Sequence, residues 1–235
     1  MLSDFTFTGY NNKIYNLRDN GGFMVNKPEI QAPQLRVTEH KVDGRDGYLH
    51  SAFGDYESRD MTIACVFKTY EEAQRMISAF NTLGGILNFN YIEGYFKVER
   101  VVAIYTRDAK GIPEVDILLR VKPFSYLPKV TIEPSSNNFN FNNMGEVEAR
   151  PVIKVVGNGT GTFTLNGHTY TIEQLNTSEF VIDCENWAIT RLDNNVGDLL
   201  TGNLENVKII EGDNDIAYSG GISKITIEYI PKLIR

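Results

Sequence analysis

The chain has 235 residues, a formal net charge of -7 and a sequence pI of about 5.1. That length allows one large domain or two modest ones, and a 42% hydrophobic content argues against global disorder. An acidic chain without a Lys/Arg run is poorly suited to neutralising phosphates, so no sequence-specific nucleic-acid binding is expected. No stretch approaches the roughly 20 apolar residues of a membrane-spanning helix, so no membrane insertion is expected either.

The start, Met-Leu-Ser-Asp-Phe-Thr-Phe-Thr, lacks the basic and apolar blocks of a secretory signal, so a chain made in the cytosol is expected. Val42-Asp-Gly-Arg-Asp-Gly47 is a polar, glycine-hinged segment, and Ala52 to Asp60 is too polar for a core. The latter reads as a solvated loop or as an arm reaching toward a neighbouring subunit. Met61 to Phe67 then alternates, with Met61, Ile63, Cys65 and Phe67 on one face, as a half-buried strand does.

Thr69 and Glu72 form a capping box ahead of an apolar stripe of Ala73, Met76, Ile77, Phe80 and Leu83. This spacing predicts a helix docked on a sheet and ended by Gly84-Gly85. Phe96 to Tyr105 is apolar on both faces, as in a central or doubly covered strand. Thr106 to Glu114 carries Gly and Pro and predicts the loop of a long hairpin. Its second strand places Val115, Ile117, Leu119 and Val121 on one face.

After Pro123-Phe-Ser-Tyr-Leu-Pro128 the composition changes. Ser135 to Asn143 is rich in Ser and Asn and predicts a linker or domain edge. Beyond it, Asn166-Gly167 centres a hairpin that sets Leu165 against His168 and Phe163 against Tyr170, with a threonine face opposite. Phe180 to Cys184 and Trp187 to Arg191 pair through Glu185-Asn186, which puts Ile182 against Ile189 and Cys184 against Trp187 on an apolar face. Val207 to Ile210 and Ile225 to Ile230 supply further strands. The chain thus reads as mainly β. An α+β N-terminal domain, 1–130, has one helix on β-sheets, and a C-terminal β-sandwich follows at 131–235. The boundary falls between 128 and 145.

Catalytic motifs are not found: no Gly-x-Ser-x-Gly, His-Glu-x-x-His or P-loop occurs, so no enzyme and no cofactor are expected. Gly157-Asn-Gly-Thr-Gly161 opens a strand instead of a helix and reads as turn glycines, not as an anion cradle. His40 and His50 bracket Asp43 and Asp46 without any recognised ligand spacing, so no metal site is assigned. His168 needs no role beyond its sheet edge, and Asp213-Asn-Asp215 reads as a polar turn. Cys65 and Cys184 fall on apolar faces and read as reduced, buried thiols.

Several of these segments resemble a known family. Val42-Asp-Gly-Arg-Asp-Gly47, Tyr56-Glu-Ser-Arg59 and the strand from Met61 are similar to the first domain of siphophage distal tail (Dit) proteins, where a Gly-Arg-x-Gly loop precedes a Tyr-x-x-Arg element. Gly145 to Val155, Gly157-Asn-Gly159, Asn166-Gly167, Ile182-Asp183 and Gly212 to Tyr218 resemble the family's C-terminal, galectin-like sandwich. The resemblance implies a structural protein of the virion tail tip, assembled in the bacterial host cytoplasm as a hexameric ring. That ring joins the tail tube protein to the tail-tip protein, carries receptor-binding components and leaves a channel for DNA. It further implies that Gly44, Arg45, Gly47, Tyr56 and Arg59 contribute to contacts between subunits, and that Arg150 and Pro151 are structural. No inserted carbohydrate-binding module is visible. The alternative reading is a carbohydrate-binding module on the C-terminal sandwich, acting in host-surface attachment.

Overall fold

A computed structural model of the protein describes residues 3–109 and 111–234. The fold is mainly β, and the chain divides into two compact units, one running to Tyr126 and taking in Ile234, the other Leu127–Leu233.

Unit 1 contains β1 (Phe5–Gly9), β2 (Ile14–Asn16), β3 (Gly22–Met24), β4 (Leu35–Lys41), β5 (Tyr48–Tyr56), β6 (Arg59–Phe67), α1 (Tyr70–Phe80), β7 (Gly85–Phe89), β8 (Tyr95–Ala109) and β9 (Ile112–Tyr126). An antiparallel sheet runs in the order β2-β1-β7-β8-β9-β6-β3, while β4 and β5 pair only with each other. In the β6–β9 register Met61 faces Leu119, Ile63 faces Ile117 and Cys65 faces Val115, so the two alternating runs share one buried face. Helix α1 covers that face. Thr69 and Glu72 close the predicted capping box, Ala73, Met76 and Phe80 are buried, and the Phe80 ring stacks on Phe7 at 4.1 Å.

Four expectations for this half need correction or narrowing. The helix stops at Phe80, so Leu83 lies outside the stripe and is 82% exposed. Gly84 and Gly85 are required for close packing, not for a left-handed helix end: a Cβ on either would collide with the carbonyl of Val98 or Thr8. Strand β8 is central, between β7 and β9, as one of the two readings had it, and among its described side chains only Phe96 and Val98 are buried. Bulges from Phe96 to Ala103 turn Val102 and Tyr105 to solvent, so it is not doubly covered. The expected loop from Thr106 to Glu114 is mostly strand, with Arg107 opposite Glu114 and Asp108 opposite Pro113. Lys110, within it, lies outside the described residues.

Unit 2 contains β10 (Val130–Ile132), β11 (Asn138–Asn143), β12 (Val152–Leu165), β13 (His168–Leu175), β14 (Phe180–Asp183), β15 (Ala188–Arg191), β16 (Asn194–Asn195), β17 (Leu200–Thr201), β18 (Gly212–Tyr229) and β19 (Lys232–Leu233). Its two long strands, β12 and β18, pair along their lengths and bend together, with register shifts around Gly157 and Gly161. Before the bend, β12 pairs with β14 and with the end of β18; after it, with β13 and the start of β18. The sheet thus folds into two layers around one core, which includes Ile153, Ile182 and Ile227 from one layer and Phe163, Tyr170 and Ile216 from the other. The glycines read as a turn are the bend itself. A Cβ on Gly157 would strike Gly221, and one on Gly221 would strike the Asn158 carbonyl.

The Asn166-Gly167 hairpin has the expected register, with both residues at positive φ and Phe163 stacked on Tyr170 at 4.9 Å. Other expectations fail. Asn138–Asn143 is not a linker but a strand on β18, with Phe139 and Phe141 packed against the core. Unit 2 begins at Leu127, whose N–H donates to the Pro231 carbonyl. Val207 to Ile210 forms no strand, although Val207 and Ile209 are buried and Ile209 bridges Ala149. Asp213-Asn-Asp215 is strand, not turn, and Asn214 is buried. Its Oδ1 accepts from the Ile210 N–H and from Asn166 Nδ2, both at 2.8 Å, and its Nδ2 donates to the carbonyls of Ile210 and Gly212.

Candidate assembly site

Among the described residues, the hairpin of β4 and β5 pairs with no other strand. Its register sets Val37 opposite Ala52, Thr38 opposite Ser51, Glu39 opposite His50, His40 opposite Leu49 and Lys41 opposite Tyr48. Every residue of β4 is exposed, and Val42-Asp-Gly-Arg-Asp-Gly47 forms the tip. At about 3.3 Å per residue, β4 alone extends the ribbon roughly 20 Å. Leu35 and Tyr48, 48% and 55% exposed, stand on it with Val37, Val42 and Leu49 also open to solvent. A two-stranded ribbon without a covered face is at best marginally stable in water, so this one calls for a partner surface.

The expected contact residues divide between tip and base. Gly44 and Gly47 sit at the tip at φ near +80° with nothing near a would-be Cβ, and Arg45 between them is exposed. Tyr56 closes the base, half-buried, edge-on to Phe124 at 5.0 Å. Arg59 lies inside unit 1, only 7% exposed: its guanidinium donates to the Gln31 carbonyl and lies 5.6 Å from the Phe96 ring centroid. Burial depresses its pKa. With little exposed surface, Arg59 anchors the foot of the ribbon. Arg36 and Asp55, paired at 2.9 Å, tie the two strands together near that foot.

Sequence reasoning singled out the tip but assigned neither strand. Ala52 to Asp60, read as a loop or an arm, is largely the end of β5 and the start of β6, and β4 was missed. Leu35-Arg-Val-Thr-Glu-His-Lys41 alternates with too few apolar residues to register as a core strand, which is what an exposed ribbon strand should look like.

Other chemistry does not gather here. The register places His40 and His50 on opposite faces of the ribbon: His40 Nε2 lies 3.2 Å from Ser51 Oγ, and His50 Nδ1 lies 3.9 Å from Glu39. Among the described residues no group of three His, Cys, Asp or Glu side chains could hold a metal ion. A cavity of about 410 Å³ beside the foot is lined by Arg36, Glu57, Ser58, Glu99, Arg100 and Arg120. It is a mixed-charge surface whose Arg120 is already paired with Asp60 at 2.7 Å. Both cysteines are buried and free. Burial pushes the Cys184 thiol up to about 12 and raises that of Cys65 as well, the opposite of an activated nucleophile. No helix among the described residues is long and apolar enough to cross a membrane.

Trp187 departs most from expectation. Asp183 pairs with Ala188, which leaves Cys184 to Trp187 as the turn between β14 and β15. Cys184 points into the core, while Trp187 is 51% exposed instead of facing it.

No family model and no curated protein matches the sequence. Solved structures do match. The baseplate of phage P2 in its activated conformation with Ca is 10% identical with a TM-score of 0.49 over 99% of both chains. The crystal structure of the Dit protein (gp 19.1) of phage SPP1, described as a paradigm of hub adsorption apparatus in Gram-positive infecting phages, is 14% identical with a TM-score of 0.73, again over 99% of each chain. The chain therefore has the fold of the SPP1 Dit protein over nearly its whole length.

Proposed function

We propose that this protein is a non-catalytic structural component of a phage tail tip, a hub that assembles with copies of itself. The ribbon β4–β5 carries this reading, because an exposed, apolar-studded arm of that length is unstable alone and suited to lie on another chain. Likeness to the SPP1 hub protein supports the setting. An arm leaving one place on a subunit and docking at a different place on the next is a heterologous contact, and such contacts form a ring when the rotation between subunits closes. The ring is a hexamer, in line with the resemblance in sequence. It joins the tail tube protein to the tail-tip protein in the virion and leaves a channel for DNA.

Chemical cross-linking tests the reading. A photo-activatable group on Arg45→Cys, accessible while both native thiols are buried, should give a ladder of multimers ending at six. A product cross-linked only within one chain would refute it.

A further inference from the structure

We propose that Asn158 is a site of covalent self-modification, converting in the folded protein to a mixture of aspartate and isoaspartate. The sequence holds three Asn-Gly pairs, Asn20-Gly21, Asn158-Gly159 and Asn166-Gly167. Glycine leaves the backbone nitrogen that follows an asparagine unshielded by any Cβ. That nitrogen can attack the asparagine Cγ. A new C–N bond closes a five-membered succinimide, the bond to the side-chain amide nitrogen breaks, and ammonia leaves. Water then opens the ring. Attack at the side-chain carbonyl gives aspartate. Attack at the main-chain carbonyl gives isoaspartate, whose backbone runs through Cβ and is one carbon longer.

The fold decides which pair reacts. The Asn166 amide is engaged at both ends: Nδ2 donates to the Lys208 carbonyl at 3.0 Å and to Asn214 Oδ1 at 2.8 Å, and Oδ1 accepts from the Asp215 N–H at 3.1 Å. Asn20 Nδ2 donates to the Asn16 carbonyl at 2.7 Å, and the Gly21 N–H, its would-be nucleophile, donates to the Arg18 carbonyl at 3.0 Å. Asn158 is exposed, and its side chain has no hydrogen-bond partner among the described residues.

Asn158 also sits where the ladder lets go. The β12–β18 register passes from Gly157–Ile222 directly to Gly161–Gly220, and the β12–β13 register ends at Gly159–Leu175. Asn158 therefore has no cross-strand partner on either side and keeps the local freedom of a bulged residue. Gly159, at φ +76°, has nothing within 4 Å of a would-be Cβ, which leaves room for the ring to close.

The consequence falls on the bend of β12 and β18. The Asn158 carbonyl packs so tightly on Gly221 that a Cβ there would come within 1.9 Å of it. Isoaspartate inserts a carbon into the main chain at this contact and loosens the bend. Aspartate adds only a charge on an exposed side chain and leaves the bend intact. The site lies in unit 2, away from the ribbon, so its failure would leave the proposed hub role standing.

Incubation of the intact protein at mildly alkaline pH, followed by tandem mass spectrometry of its peptides, tests the assignment. Asn158 should lose its amide roughly tenfold faster than Asn20 or Asn166, with isoaspartate among the products. In urea all three pairs should react at similar rates. Equal rates at the three sites in the folded protein, or an Asn158 that outlasts either of the others, would overturn the assignment. The aged protein should also melt at a lower temperature than the Asn158→Asp variant. Identical melting of the two would overturn the loosened bend.

Discussion

At the scale of single residues, the buried polar groups are the most exposed to test. Asn214 uses its amide oxygen and nitrogen in four hydrogen bonds, so Asn214→Ala orphans backbone groups of Ile210 and Gly212. It should cost about 2–3 kcal/mol in chemical denaturation. Glu228 is held below the ordinary carboxylate range first by Lys154 at 2.8 Å and then by Lys129 at 3.0 Å. A depressed carboxyl stabilises the fold above its unfolded pKa and loses that contribution as pH falls through the folded value. Glu228→Gln should therefore flatten the decline of stability below about pH 4.5, by under about 1 kcal/mol because both lysines reach solvent. With their pKa values raised by burial, Cys65 and Cys184 should not react with an aromatic disulfide reagent at pH 8 until the protein is unfolded. Alternation in sequence was enough to bury both cysteines. It could not bury Asn214, because two of its neighbours, Phe141 opposite it on β11 and the Asn166 amide, are remote in sequence.

At the scale of elements, local patterns were legible where one period or one turn dominated. The capping box of α1, the β6–β9 faces and the Asn166-Gly167 register could all be read directly, since each rests on residues near in sequence or on strict alternation. The bend of β12 and β18 could not. Its cause is a contact between Gly157 and Gly221, far apart in the chain, and glycines alone look like a turn. Gly221→Ala should open this bend and cost unit 2 about 1–3 kcal/mol by thermal melting. Trp187 was misplaced for a different reason: the Ile182–Ile189 and Asp183–Ala188 pairs are as expected, but Trp187 belongs to the turn, at φ +55° and off the strand geometry, and is half exposed. Of the assembly site, the sequence showed the tip at Gly44, Arg45 and Gly47 but not that Arg59 is enclosed, which depends on the remote Gln31 and Phe96.

For the whole molecule, the account turns on one exposed element. Each unit has its own core, so neither needs the ribbon in order to fold. Replacing residues 37–52 by a short Gly-containing turn should therefore leave the melting transition nearly unchanged. In the intact monomer the ribbon's amides should exchange hydrogen much faster than those of β6 and β9, and slow down on assembly. The decisive measurement is the native mass of the intact and the ribbon-shortened protein across a concentration series. The account predicts a closed hexamer for the intact chain at high concentration and a folded monomer for the shortened one. An intact chain that stays monomeric throughout, or a shortened chain that still forms the same oligomer, would contradict it.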